Sequence, residues 1–409
     1  MKVVKARLLI DGTGNLPIER GAVCIDDSGR ISDVGPIDQL QIPPDAEILD
    51  WSNYTVLPGL IDSHTHLTLS HKTGKGLVDQ LFKSPRFLLA IKGFLNLQED
   101  LRSGVTTMRA LGDMEGLEIE VREAINCGEI PGPRLLACVE IRPSHGTGTT
   151  VSAADGPWEI RKAVRKGIGE GADVVKIFAS NIKPGKDEVA YRMGDLTQVA
   201  AYTREEIAAA VEEAHRVGVK VAVHALGGPA LRWALEAGAD TIEHANLLEE
   251  EDIELFLRSG AYLSDPNLQL FFDEETGYPS RPSLQRLPAW WHEKVRRTQE
   301  QTRVIMRKAL EAGVKFILGT DSNHGQLWRE AKHFVEVLGA TEMEAILAMT
   351  KHSATALGIE DSLGTIEQGK LADLIAIEGN PLKDIACVRN VKFVLKEGKL
   401  QTTMNWEVM

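Results

Sequence analysis

Thr203-Arg-Glu-Glu206-Ile207-Ala-Ala-Ala-Val211-Glu-Glu-Ala214-His-Arg-Val-Gly218 runs directly into Val219-Lys-Val-Ala-Val223. The first part reads as a helix. Thr203 and Glu206 stand at the T-x-x-E spacing of a capping box, in which each side chain satisfies the other residue's backbone N–H. Ile207, Val211 and Ala214 recur on one helical face, and Gly218 supplies a C-terminal stop. The second part is short and valine-rich and reads as a buried strand. A helix followed by a buried strand is the unit of a parallel βα fold.

The same alternation extends from about residue 58 to 360, where Thr341 and Glu344 open another helix in the same way. Candidate strands lie near Leu60, Val105, Arg134, Val174, Val221, Thr241, Tyr262 and Phe316. Eight units predict an α/β protein built as a closed (β/α)8 TIM barrel. Pattern alone also allows an open doubly wound sheet; the motifs below favour the barrel. The chain ends read differently. Residues 3–10, 21–26 and 30–34 are strand-like, separated by the turns Asp11-Gly-Thr-Gly14 and Asp27-Ser-Gly29. Residues 373–377 and 391–395 repeat the pattern around Glu378-Gly-Asn-Pro381. We therefore expect residues 1–57 and 361–409 to form one small β-sandwich domain, with the barrel, residues 58–360, inserted into it.

The chain has 409 residues, 43% hydrophobic and 26% charged, with a formal net charge of -13. That composition suits a globular protein with a large core. The acidic balance offers no basic stripe for phosphates, so no nucleic-acid partner is expected. Cys24, Cys127, Cys138 and Cys387 are scattered, without a CxxC pair. Free thiols in a reducing compartment are expected. The first ten residues lack a signal-peptide profile, and no run of about 18 apolar residues could span a membrane. A cytoplasmic enzyme with no membrane partner is the expectation.

Five motifs carry chemistry. Gly59-Leu-Ile-Asp-Ser-His64-Thr-His66 is an apolar strand ending in His-x-His. Residues i and i+2 of a strand face the same side, so both imidazoles converge as a metal pair would. Gly171-Ala-Asp-Val-Val-Lys176-Ile-Phe178 sets a lysine among apolar neighbours, where desolvation favours the neutral amine. A neutral amine can add carbon dioxide to give an anionic carbamate able to bridge two cations. A lysine snorkelling to the strand end is the alternative. Val221-Ala-Val-His224 and Thr241-Ile-Glu-His244 each end a strand in histidine, and Phe316-Ile-Leu-Gly-Thr-Asp321 ends one in a carboxylate. Taken singly, each has a plain structural reading. Together they place six polar groups at the ends of strands one, four, five, six and eight, on the C-terminal mouth where barrels carry their active sites.

On these residues the chain resembles the amidohydrolase superfamily. Two further phrases match it: Val56-Leu-Pro-Gly-Leu-Ile-Asp-Ser-His64 at strand one, and Leu363-Gly-Thr-Ile-Glu-Gln-Gly-Lys-Leu-Ala-Asp-Leu374 at the exit from the barrel. The resemblance implies two divalent ions, zinc being the first choice. His64 and His66 would hold the more buried ion with Asp321, His224 and His244 the more exposed one, and carboxylated Lys176 would bridge both. Residues 171–178 and 219–246 look most similar to the imidazolonepropionase-related, prolidase-like branch. There a histidine after strand three helps bind a substrate carboxylate, and His145 in Pro143-Ser-His145-Gly146 matches it. One departure is Leu226, which stands where the dipeptidases carry a tyrosine, so a carboxylate-binding hydroxyl is missing.

The implied reaction is hydrolysis of an amide or peptide-like C–N bond in a small molecule, of dipeptide or N-acyl amino acid type, by a metal-bridged hydroxide. Asp321 would carry the proton to the leaving amine. A lactone, ester or carbamate hydrolase and a heteroaromatic deaminase are the alternatives on the same site; a metal-free scaffold is a third. Lys176 counts against the deaminase, and the full ligand set against the scaffold. A homo-oligomer is expected. Of the other histidines, His71, His292 and His324 are placed in or near loops that could line the pocket, and His215, His333 and His352 in helices. Trp290-Trp291 could wall the mouth, and Arg109 is read as structural, holding a polar group inside the barrel.

Overall fold

In the computed structural model, which describes residues 1–70, 79–80, 83–146, 153–180, 196–264 and 284–401, alternating apolar residues at both chain ends are drawn into one sheet. The N-terminal part gives β1 (Lys2–Leu9), β2 (Ile18–Glu19), β3 (Gly21–Ile25), β4 (Ile31–Pro36) and β5 (Glu47–Pro58). The sequence pattern does not reveal β5, because Asp50-Trp-Ser-Asn53 imitates a turn. Asp50 Oδ1 accepts hydrogen bonds from both the N–H and the hydroxyl of Ser52. The sheet absorbs this irregularity through a register shift between Ala6 and Leu8 on β1.

Valine- and isoleucine-rich runs then form β6 (Leu60–Thr65), β7 (Val105–Ala110), β8 (Arg134–Leu136), β9 (Cys138–Ile141), β10 (Val174–Phe178), β11 (Lys220–Ala225), β12 (Thr241–His244), β13 (Tyr262–Ser264) and β14 (Phe316–Ile317). Branched side chains pack well on strands covered on both faces, and β6, β7, β10 and β12 are buried throughout. All eight expected strand positions fall in these strands. The third is split at Ala137 into β8, which pairs with β7, and β9, which pairs with β10. The pairings are parallel and sequential, giving the orders β6-β7-β8 and β9 through β14. Beyond β14 the chain returns to β6: Ser63 N–H donates to Leu318 O (3.0 Å), and Asp321 N–H to His64 O (2.8 Å).

Helices intervene between the strands: α1 (Arg86–Arg102), α2 (Leu117–Asn126), α3 (Gly156–Gly169), α4 (Arg204–His215), α5 (Gly228–Ala237), α6 (Glu250–Ser259), α7 (Ala289–Glu311), α8 (Leu327–Glu336), α9 (Glu342–Ala348) and α10 (Lys351–Leu357). The capping box of α4 forms as read, with Glu206 N–H on Thr203 Oγ1 and Thr203 N–H on Glu206 Oε2. Thr341 and Glu344 do the same at α9.

The C-terminal part adds β15 (Leu374–Ile377), β16 (Val391–Lys396) and β17 (Lys399–Leu400). β15 lies antiparallel to β5, so the two chain ends meet in a sheet of order β17-β16-β15-β5-β1-β3-β4, with β2 on β1. Val4, Leu9, Val23, Ile25, Trp51, Leu374 and Leu395 form its buried core. All four cysteines are free. Among the described residues no helix is long and apolar enough to cross a membrane.

Candidate metal centre

His64 and His66 lie at the C-terminal end of β6, and their rings converge as strand alternation requires. Ring contacts then run in series: His66 to His64 (5.6 Å between centroids), His64 to His244 (5.0 Å) and His244 to His224 (4.7 Å). Asp321 Oδ1 is 3.2 Å from His66 Nε2 and 3.6 Å from His64 Nε2. Lys176, on β10, is buried, with Nζ 5.7 Å from the Phe178 ring centroid. It lies within electrostatic reach of Glu243, Glu140 and Asp321. The structure thus gathers His64, His66, Lys176, His224, His244 and Asp321 at adjoining strand ends.

Two pairs of residues leave the extended conformation to do this. His244 and Ala245 have φ of 79° and 47°, Asp321 and Ser322 of 44° and 80°. Left-handed backbone is costly outside glycine and concentrates at functional sites. At β12 it breaks the alternation that would send Glu243 and His244 to opposite faces, and both side chains reach the interior.

The donor chemistry fits a divalent ion. His64 Nδ1 donates to Glu243 Oε2 (2.7 Å) and His66 Nδ1 to Gly112 O (2.6 Å). With each Nδ1 donating in this way, each Nε2 is turned toward Asp321, the pattern by which second partners orient metal-binding imidazoles; in the metal-free chain His66 Nε2 carries a proton to Asp321, and a bound ion would take that proton's place. His64, His66 and Asp321 offer ligand atoms within 4.8 Å of one another. His244 Nδ1 is buried with no hydrogen-bond partner among the described residues.

Electrostatics agree. Burial, with the charge of Lys176 beside it, pushes His64 down to about 4, and burial first of all lowers His224 and His244. All three are therefore neutral bases near pH 7. Burial opposes ionisation of Asp321, but the hydrogen bond from His66 and the neighbouring imidazoles hold it well below the usual carboxylate range. Burial also pulls His66 down; Asp321 outweighs it and leaves His66 raised. Burial lowers Lys176 toward the neutral amine.

Apart from Arg109, sequence reasoning missed the groups that hold this set. Arg109 Nε donates to Ser63 O (2.6 Å), Nη1 to Thr241 Oγ1 (3.0 Å) and Nη2 to Glu243 Oε1 (2.9 Å). Arg109 thus has the internal role read for it, and its carboxylate partner is Glu243, one residue before a histidine already singled out. Asp113 accepts the N–H groups of Leu67 and Thr68 and the Thr68 hydroxyl. Asp62 accepts from Thr320 N–H, the Thr320 hydroxyl and His64 N–H.

The remaining candidates separate. His145 is exposed in the loop after β9, and no hydrogen bond or ion pair among the described residues ties it to the cluster. Leu226 follows β11 and is buried against Leu196, Leu287, Trp291 and Val295. Trp291 is thus part of an apolar wall, while Trp290 is 48% exposed. His292 is not in a loop but in α7, its Nε2 on Leu287 O (3.0 Å), because the helix starts early at Ala289. His324 is buried and bonded on both ring nitrogens. His71 lies outside the described residues.

A cluster of imidazoles and a carboxylate at the ends of parallel strands defines a metal-dependent class of α/β enzyme. Residues 55–404 match the amidohydrolase family, and the chain belongs to that family. It is accordingly a hydrolase acting on C–N bonds, in a family that uses divalent metal ions. It is 30% identical to the ochratoxinase of Aspergillus niger, covering 97% of this chain and 86% of that one. It is 25% identical to an imidazolonepropionase of Rhizobium rhizogenes, over 86% and 85% of the two chains. A Xaa-Pro dipeptidase solved with methionine in its active site superposes with a TM-score of 0.83 at 32% identity, over 98% and 99% of the chains. Such neighbours carry a TIM-barrel-like fold.

Proposed function

We propose that this chain is a binuclear, metal-dependent hydrolase of dipeptides or N-acyl amino acids. The observation that carries the reading is the series of four imidazole rings closed by Asp321, with buried Lys176 beside them. His64, His66 and Asp321 would hold one ion, His224 and His244 the other, and Lys176 would bridge them as its carbamate. In forming it, the neutral Nζ lone pair attacks the carbon of carbon dioxide, one C–O π pair moves to oxygen, and Nζ loses a proton to solvent. Zinc suits imidazole and carboxylate donors. The architecture we read for it is a (β/α)8 barrel of residues 58–360, a reading supported by the hydrogen bonds between Ser63, His64, Leu318 and Asp321. Residues 1–57 and 361–409 would make the β-sandwich domain, its last eight residues lying outside the described ones.

When bound, the two ions supply a water acidified enough to attack a carbonyl at neutral pH and a Lewis acid for the carbonyl oxygen. The chain does the rest. Glu243 and Gly112 hold the histidines in the tautomer that leaves Nε2 free to bind. Asp321, ionised before reaction, takes the water proton on a carboxylate oxygen and hands it to the amine, which leaves only once protonated. Leu226 packs into a buried apolar cluster with Trp291 and offers no hydroxyl to a substrate carboxylate, for which His145 is the candidate partner.

The test is a comparison of kcat/KM for an N-acyl amino acid with that for its neutral carboxamide, using Zn2+-loaded enzyme. The carboxylate should be preferred at least tenfold, and His145→Ala should raise KM for it alone. Equal values would remove the carboxylate from the reading. Ammonia release from an aminated heteroaromatic ring, or faster turnover of lactones, would replace the amide reaction.

A further inference from the structure

His324 lies three residues beyond Asp321, is buried, and has no place in the mechanism above. Its Nδ1 donates to Asp100 Oδ2 on α1 (2.6 Å). Its Nε2 is 3.2 Å from His66 O and 3.0 Å from Leu69 O, the backbone carbonyls that follow β6. The other oxygen of Asp100 accepts Gly325 N–H (2.8 Å), so one carboxylate grips the loop after β14 at two successive residues. Gly325 has φ of 74°, and a Cβ there would stand 2.8 Å from Glu99 Cγ on α1. The turn lies close against the helix.

We propose that His324 is a positioning residue: with Asp100 it clasps the segment that carries His66 to the segment that carries Asp321. These two residues meet across the candidate centre at 3.2 Å, yet their backbones belong to opposite ends of the barrel sequence. The strand hydrogen bonds fix His64 O against Asp321 N–H, but they end there. From His66 onward the chain turns away from β6; His66 O takes Leu69 N–H (3.3 Å) in a local turn, and side chains from other elements hold the carbonyls of this segment to the rest of the fold. Asn96 Nδ2 reaches Leu67 O and Leu69 O from α1, both at 2.9 Å. Among these contacts, that of His324 is the one made by the Asp321 segment itself. A side chain with two donors at opposite edges of a rigid ring, each facing an acceptor, is suited to this task. Shared ligand geometry has to be held to about 0.5 Å for tight binding, and packed, hydrogen-bonded supports supply that precision.

The inference rests on the reading that His66 and Asp321 share one metal ion. Its test is titration of Co2+ into metal-free protein, followed by the visible absorption of the bound ion and by competition with a chelator. The variants are His324→Gln, which keeps a donor for the carbonyls but cannot also reach Asp100, and Asp100→Asn, which keeps the shape. Each should stay folded, with a metal-free melting temperature near that of wild type. Each should bind Co2+ about 10–100-fold more weakly, the usual cost of losing an outer support of a metal ligand, and should shift the absorption band. The double variant should lose no more than the weaker-binding single one, since the two residues form one unit. Wild-type affinity and spectrum in both folded single variants would overturn the clasp while leaving the metal reading intact. Failure of wild-type protein to bind Co2+ would overturn the metal reading and the clasp with it.

Discussion

Glu243 and His244 are adjacent in sequence and do different work. His244 joins the imidazole series; Glu243 fixes His64 and is itself held ionised, against its burial, by Arg109 and His64. Asp321 has the part that kinetics read most directly. Asp321→Asn keeps size and one ligand oxygen but removes the base, so kcat should fall by about 10² or more with metal content near normal. Turnover like wild type would remove Asp321 from proton transfer. His333, on α8, supplies a pH prediction away from the site. It is buried, neither ring nitrogen has a hydrogen-bond partner among the described residues, and burial and then Arg303 push it down to about 3. Folded protein therefore keeps it neutral, while unfolded chain takes up a proton below about 6.5. Its contribution is absent above that pH and destabilises progressively as pH falls from 6.5 toward 3. At pH 5, relative to pH 8, the cost should be roughly 2 kcal/mol. Urea denaturation of wild type and His333→Leu should show the variant losing less stability by that amount over this interval. Parallel losses would mean that His333 is protonated in the fold. His-x-His was readable because alternation alone makes two imidazoles converge. Glu243 was not, because a positive φ at the next residue suspends alternation, and a single sequence does not display it.

Strand ends do the positioning, and their close approaches are strict. A Cβ on Gly319 would stand 2.5 Å from His64 N and 2.8 Å from His64 Cβ. Gly319→Ala should therefore displace β6 at its metal-bearing end, costing about 1–3 kcal/mol by overpacking and weakening metal binding together. A variant that melts and binds metal like wild type would show that the two strands can separate freely. The cap of α4 works at the same scale with a smaller stake. Thr203→Ala removes one side of its capping box and should cost about 1 kcal/mol, with activity unchanged; an unchanged denaturation midpoint would mean the helix start is held by packing alone. Elements of this kind were legible where local chemistry and global packing agree, as in α4 with Thr203, Glu206 and its apolar face. β5 was not, since Asp50 and Ser52 satisfy one another locally and only pairing with β1 makes that stretch part of a strand, which β15 then joins at Thr55–Pro58. The split of the third strand at Ala137 is likewise set by its two different neighbours.

At the scale of the molecule, six polar groups distant in sequence are delivered to one place because parallel strands end on a common side. That rule made the candidate set readable from strand-end residues. It does not reach the substrate, because specificity is set by loops whose shape strand-end residues do not encode. Burying four imidazoles and a lysine is costly; in the proposed reading, bound cations and a bridging anion would offset that cost. Removing metal with a chelator should accordingly abolish turnover and lower the melting temperature, both reversed by adding Zn2+ and bicarbonate. The most direct measurement is the number of divalent ions per chain at saturation, by elemental analysis of protein loaded with Zn2+ and bicarbonate. Close to two are expected for wild type and close to one for Lys176→Ala, which retains His64, His66 and Asp321 but lacks the bridge. No more than one ion in saturated wild-type protein would contradict it.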